Sequence, residues 1–204
     1  MKITSIDIGK NNFALYIEKF DETMKIIAPV QARYNKDGTT TEIFEEYLTN
    51  IYMSGEGILL ENLNISDKHM HNIYKNMIAV LEERDNFLKD CDIFLIEEQM
   101  AFRGKVNFTA LKLAQHCYTY LMIKYPCAKI ISVPAWKKTR ILGMCKNDIK
   151  NKYKRKQWAW KEAIHIFSCR DENKYIEIIE NSTKKDDLGD VVIQLQEYKT
   201  SIIK

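Results

Sequence analysis

No run of about 18 consecutive apolar residues occurs in the 204 residues, so the sequence offers no helix able to span a bilayer. The opening MKITSIDIG carries a charge-bearing strand where a signal peptide would place its apolar stretch. A soluble, intracellular protein with no membrane partner is therefore expected. C-x-x-C pairs are missing too. Five cysteines, Cys91, Cys117, Cys127, Cys145 and Cys169, make an odd number with scattered spacing, which argues against a disulfide framework and against a zinc ribbon. Four histidines give no metal signature, because His69 and His71 point to opposite sides of a helical turn. The chain is still long enough to bury a sizeable core in one domain without covalent staples.

Acidic residues are nearly absent from one stretch. Between Trp136 and Lys161 ten basic residues face a single acid, Asp148, a local charge of +9 that leaves −6 for the rest of a chain whose formal charge is +3. Trp136, Tyr153, Trp158 and Trp160 interleave with these cations. A basic, aromatic segment on a mildly acidic body suits a polyanion; the plainer alternative is a solvated surface helix.

Ile3 to Asn12, ITSIDIGKNN, reads as a short buried strand that ends on one carboxylate, Asp7, with Gly9 turning the chain directly after it. Phe13, Leu15 and Ile17 then alternate with Ala14 and Tyr16, so Gly9–Asn12 closes an antiparallel hairpin. Asp7 alone is equally well read as a turn residue accepting amide hydrogen bonds. Met24–Tyr34 is expected as a third extended segment, held to an edge or bulge by Pro29, and Thr39–Asn50 as a short helix using Ile43, Phe44, Tyr47 and Leu48. GILLENLN follows as a strand. Ser66 is positioned to cap a long helix to about Lys89, with Met70, Ile73, Met77, Leu81 and Leu88 inward.

DIFLIEEQ, Asp92–Gln99, is an apolar run after a helix, the pattern of a central parallel strand, and it repeats the design of the first strand by ending in carboxylates. Side chains alternate, so Glu97 shares a face with Ile93 and Leu95 while Glu98 shares the other with Phe94 and Ile96. A helix over Asn107–Tyr125 is expected to bury Leu111, Ala114, Tyr118, Leu121 and Met122, and AKIISV is a further strand stopped by Pro134. The basic segment reads as a loop and then a helix from Tyr153 to Phe167, with Trp160, Ala163, Ile164 and Phe167 inward. Its N-terminal lysines oppose the helix dipole, which a nearby anion would rationalise. After a helical piece at Lys174–Asn181, STKKDDLGDVV opens the last helix, where Asp187 and Asp190 are neighbours on one face and Asp186 turns away. Two like charges so close are destabilising unless the helix dipole or a cation compensates them.

One strand-end Asp, one strand-end Glu and two helical Asp are the hard oxygen donors of a two-metal phosphoryl-transfer site for Mg²⁺, with Mn²⁺ accepted. In their order and spacing, SIDIGKNN, FLIEEQ, YKRKQWAWKEA and KKDDLGDVV resemble the poxvirus-type Holliday junction resolvases, relatives of RuvC and of mitochondrial resolvases in the RNase H-like superfamily. The resemblance implies an α/β fold, a mixed five-stranded sheet flanked by helices, over residues 1–204 as a single nuclease domain with an insertion at about 20–56. It implies Asp7, Glu97, Asp187 and Asp190 as catalytic metal ligands, and a catalytic lysine at Lys154 or Lys156. Lys137, Lys138, Arg140, Lys150, Lys152, Lys154, Arg155 and Lys156 become candidate DNA contacts, although Glu98 stands where the family often has Arg. Branched DNA as substrate, a homodimer, a large DNA virus as source and the host-cell site of viral DNA replication are further implications. Rival readings are another RNase H-like nuclease of transposase or RNA-guided type, an actin- or hexokinase-like ATPase, and a non-catalytic DNA-binding module. Transposases generally carry extra DNA-binding domains for which this chain has no room. The ATPase needs a second Gly-rich phosphate loop, and the seven glycines here are not clustered that way.

Overall fold

The computed structural model describes residues 1–21, 23–99 and 107–203. A five-stranded sheet runs through it in the order β3-β2-β1-β4-β5. Strands β1 (Lys2–Ile8) and β2 (Phe13–Phe20) form the expected antiparallel hairpin, and β3 (Gly55–Leu63) continues it antiparallel on the outside of β2. On the other side of β1, β4 (Ile93–Glu98) and β5 (Lys129–Pro134) run parallel to it. The central position of β1 and β4 explains why their sequences are almost continuously apolar: each must be buried on both faces.

Helices cover the two faces. One carries α2 (Met70–Glu82), α3 (Asp85–Leu88) and α4 (Phe108–Lys124), whose Ile73, Met77, Leu81, Leu88, Leu113, Cys117 and Leu121 pack on Ile6, Ile8, Phe94 and Ile96. The other carries α1 (Glu42–Met53), α6 (Lys152–Cys169), α7 (Asn173–Asn181) and α8 (Lys185–Ile202), packed on Ile3, Tyr16, Ile93 and Leu95. Helix α5 (Ala135–Ile141) lies against α8 at the end of β5. Gly189 lets α8 approach α6 closely: a Cβ there would stand 2.6 Å from the Trp160 backbone nitrogen.

Several local expectations are corrected. Residues 24–34 form no strand; Ile27 and Val30 are fully solvated, and β3 takes the sheet edge beside β2 that such a segment would have used. The long helix from Ser66 starts instead after His69 and is interrupted after Glu82, where Arg84 turns back to pair with Glu61 on β3. On α1, Ile43 is exposed and the buried stripe runs from Phe44 to Tyr52. On α4 the inward stripe is Ala110, Leu113, Cys117 and Leu121, while Leu111 and Met122 face outward. That helix has apolar residues on more than one side, so periodicity could not choose its buried face. Helix α6 buries Ala159, Ala163, Ile166 and Phe167, with Trp160 and Ile164 only partly covered. The loop expected after Pro134 is the helix α5, for which Pro134 supplies the fixed-φ residue before the first turn.

Candidate active site

Asp7 and Glu97 occupy the ends of adjacent parallel strands. The register pairs Ile6 with Ile96, so the next residue on each strand is the carboxylate, and Asp7 and Glu97 share with Ile3 and Leu95 the face that meets α8. Glu98 points to the other side and is exposed, as alternation requires. Asp187 and Asp190 lie in the first two turns of α8, which packs across β1. The four acids are therefore brought to one end of one face.

Their mutual charge is visible in how they hold protons. Burial raises the Asp7 carboxyl well above its ordinary value, and Glu97, Asp190 and Asp187 push it further, while Lys138 alone opposes them. Asp187 is raised by burial and by Asp186, with Lys156 pulling the other way. Its Oδ2 is buried without a hydrogen-bond partner, a costly arrangement for an anionic oxygen unless a cation satisfies it.

Lys138 is the residue that sequence reasoning misplaced. Grouped there with surface DNA contacts, it is 5 % exposed, and its Nζ lies 2.9 Å from Asp190 Oδ1 and 3.4 Å from Glu97 Oε2. An ammonium so enclosed is committed to the carboxylates beside it. Burial favours its neutral form, but Asp190, Glu97 and Asp7 outweigh burial and hold it charged above the ordinary lysine range. The only signal in the sequence was its place one turn into a helix directly after a parallel strand. Recognising that helix required knowing that β5 ends beside β4.

Neither lysine put forward as catalytic stands among the carboxylates in this way. Lys154 is exposed and paired with Asp148; Lys156 pairs with Asp186 at the edge of the site. Lys156 does line a cleft of about 580 Å³ whose floor includes Glu97, Lys138 and Asp190 and whose walls include Trp136, Arg140, Lys152 and Arg155. Arg140 lies over the Trp136 ring at 5.6 Å, and Arg155 is braced by the Ile149 carbonyl at 2.8 Å. Lys137, Lys150 and Lys154 do not line this cleft; Lys137 acts instead on Glu197 farther along α8. The basic segment thus divides into residues that face the acids and residues that do not.

The donor set fits a hard divalent cation. Four carboxylates, one of them with an unsatisfied buried oxygen, exceed the charge that Lys138 supplies, and oxygen ligands of this kind suit Mg²⁺ or Mn²⁺. Among the described residues no three acids already close to the spacing of a metal cage, Lys138 lying between Glu97 and Asp190.

The whole architecture has counterparts among solved structures. The fowlpox virus resolvase, solved with its substrate Holliday junction DNA, superposes with a TM-score of 0.62 at 17% identity, covering 100% of both chains. Thermus thermophilus RuvC follows at a TM-score of 0.55 and 9% identity, over 98% of this chain and 96% of that one. This is the RuvC-type resolvase fold. It belongs to the RNase H-like architecture, a mixed five-stranded sheet with helices on both faces, as the sequence resemblance implied. In sequence the chain is similar to an uncharacterized protein, 97L, of Invertebrate iridescent virus 3, with 26% identity over 97% of this chain and 98% of the other. No protein-family profile matches it. Among the described residues of the resolvase fold seen here, no helix is long and apolar enough to cross a membrane.

Proposed function

We propose that this protein is a Holliday junction resolvase, a structure-specific endonuclease that hydrolyses phosphodiester bonds of branched DNA with divalent metal ions. The observation that carries the reading is the gathering of Asp7, Glu97 and Asp190 around Lys138 on the floor of a cleft with basic walls. The fowlpox and Thermus thermophilus proteins of the same fold bind Holliday junction DNA. They extend to this chain the substrate that its cleft chemistry suits.

In this reading Asp7, Glu97, Asp187 and Asp190 hold Mg²⁺, or Mn²⁺ in its place. Bound there, such ions activate water and stabilise the leaving oxygen. Arg140, Lys152, Arg155 and Lys156 bind and orient the phosphate backbone along the cleft, a sequence-independent and salt-sensitive contact. Lys138 holds Glu97 and Asp190 in place before substrate arrives, and its ammonium is near enough to the cleft floor to offset charge developing on the scissile phosphate. Burial and its acidic neighbours raise the Asp7 carboxyl, so an ion held there would favour its carboxylate form.

Residues 20–56, which we read as an insertion, support this cleft from outside: Tyr34 donates to the Arg140 carbonyl at 2.9 Å and Tyr52 to Glu162 on α6 at 2.6 Å. Phe108, Leu111 and Met122 of α4, all exposed, fall at helical spacing on one stripe, a surface suited to a second copy in a homodimer that cuts two opposed strands. A viral origin agrees with the iridescent virus relative.

The decisive experiment incubates the protein with a synthetic four-way junction and with a linear duplex of the same sequence, with and without Mg²⁺. Paired nicks on the junction alone, dependent on Mg²⁺, are the expected result. Equal cutting of the duplex, or cutting that survives chelation, would overturn the assignment.

A further inference from the structure

We infer that Gln194 is a positioning residue that fixes the spacing of the carboxylates by tying together the three elements that carry them. The inference rests on the carboxylate site proposed above.

Gln194 is 1 % exposed, and its Nε2 donates to Ser5 Oγ at 3.1 Å, with the backbone carbonyls of Ile6 and Leu95 both at 3.5 Å. Each partner has a fixed relation to the site. Ser5 stands two residues before Asp7 on β1 and Leu95 two before Glu97 on β4, so each shares a face with its carboxylate. Gln194 itself is four residues, one helical turn, after Asp190. A single amide thus connects β1, β4 and α8 at nearly the same depth beneath the four acids.

Packing alone does not explain a glutamine here. The surrounding Val191, Ile193, Leu195 and Ile3 are fully buried, and an apolar side chain of similar volume would fill the space without the cost of burying an amide. What the amide adds is direction: sliding α8 along the sheet breaks its bonds, whereas apolar contacts tolerate the slide. The tether matters because the acids occupy the uncapped first turns of the helix. Lys184, before the first turn, provides no side-chain cap, and Asp187 and Asp190 belong to the two turns that follow. Displacements of about 1 Å are enough to impair a reaction that depends on the relative placement of its ligands.

The test uses the full chain with Gln194→Met, Ser5→Ala, the double variant, and Val192→Ala as a control that loosens the same helix without touching the amide. Thermal melts establish folding of each. Mn²⁺ binding to the free protein is measured by calorimetry, and junction cleavage is resolved into kcat and KM. We expect Gln194→Met to weaken Mn²⁺ binding and lower kcat by about 10–100-fold, the range typical of residues that orient metal ligands, with KM for the junction unchanged. Ser5→Ala should show a smaller change in the same direction, and the double variant should be no worse than Gln194→Met. Val192→Ala should leave both quantities within about twofold of wild type, although its melting temperature falls. Wild-type Mn²⁺ affinity and kcat in Gln194→Met, or equal losses in the control, would overturn the inference. A wild-type protein that binds Mn²⁺ but leaves junctions intact would refute the resolvase reading, while the calorimetric comparison would still decide the role of Gln194.

Discussion

Two clusters of buried charge lie on the same face of the sheet, both supported by α8, and they are built on opposite principles. At the helix N-terminus Asp7, Glu97 and Asp190 gather around Lys138, and nearby Asp187 has an Oδ2 with no hydrogen-bond partner. At its other end Glu18 is fully buried yet accepts hydrogen bonds from Tyr16, Gln196, Lys199 and Arg170 at 2.7–2.9 Å. Burial would raise the Glu18 carboxyl, but Arg170 and Lys199 override it and hold it at about 2. The Lys199 ammonium is drawn down to about 8 by burial and by Arg170, with Glu18 pulling the other way. One cluster is satisfied from within. The other has more negative charge than Lys138 balances, an asymmetry that agrees with the metal site proposed above.

The comparison breaks most sharply through substitutions that remove one negative charge from each cluster. Asp7→Asn should reduce junction cleavage by about 10³-fold or more, several kcal/mol of metal-dependent stabilisation, while junction binding without metal persists. Since the lost charge is one its neighbours repel, the melting temperature should stay level or rise. Glu18→Gln should do the reverse. It leaves Arg170 and Lys199 buried without their anion, which costs about 3–5 kcal/mol and lowers the melting temperature by about 10 °C, with kcat per folded molecule unchanged. Calorimetry and a cleavage assay on both variants test the pair; a destabilised Asp7→Asn or a stabilised Glu18→Gln would erase the distinction.

Acid should act on the satisfied cluster in a defined window. Glu18 is depressed from 4.5 to about 2, so the folded state binds its proton later than the unfolded chain does. The stability this confers is fully present above about pH 4.5 and is lost as the pH falls toward 2, a total of about 3 kcal/mol. Urea melts at successive pH values should show a steeper acid decline in wild type than in Glu18→Gln. Parallel curves would mean that Glu18 is not the titrating group.

Much of the candidate site was legible in the chain because its parts are local. β1 and β4 are apolar runs that stop on carboxylates, and the Asp187–Asp190 spacing states its own geometry. What could not be read was which cation meets them. Lys138 looked like one of ten similar basic residues, and its partners Glu97 and Asp190 are 41 and 52 positions away. The satisfied cluster was invisible for the same reason: Glu18 alternates within β2 like any solvent-facing residue, and only the return of Arg170 and Lys199 from the far end of the chain buries it. The α4 face failed differently, since a helix with apolar residues on several sides contains no local information about which side the sheet will cover.

The smallest effect is the most discriminating in sign. Asp187→Asn removes a half-buried like charge beside Asp186 and Asp190, and it replaces an orphaned anionic oxygen with a neutral amide. Without metal the variant should be more stable than wild type by a few tenths to about 1 kcal/mol, the scale of like-charge repulsion on one helix face. Added Mg²⁺ should then raise the wild-type melting temperature more than the variant's, because an ion that binds the folded state stabilises it by an amount that grows with the logarithm of its affinity. A crossing of the two melting temperatures with rising Mg²⁺ is the signature of a side chain that opposes folding alone and favours it with an ion. If Asp187→Asn is less stable at every Mg²⁺ concentration, then Asp187 belongs with Glu18 as a structural charge.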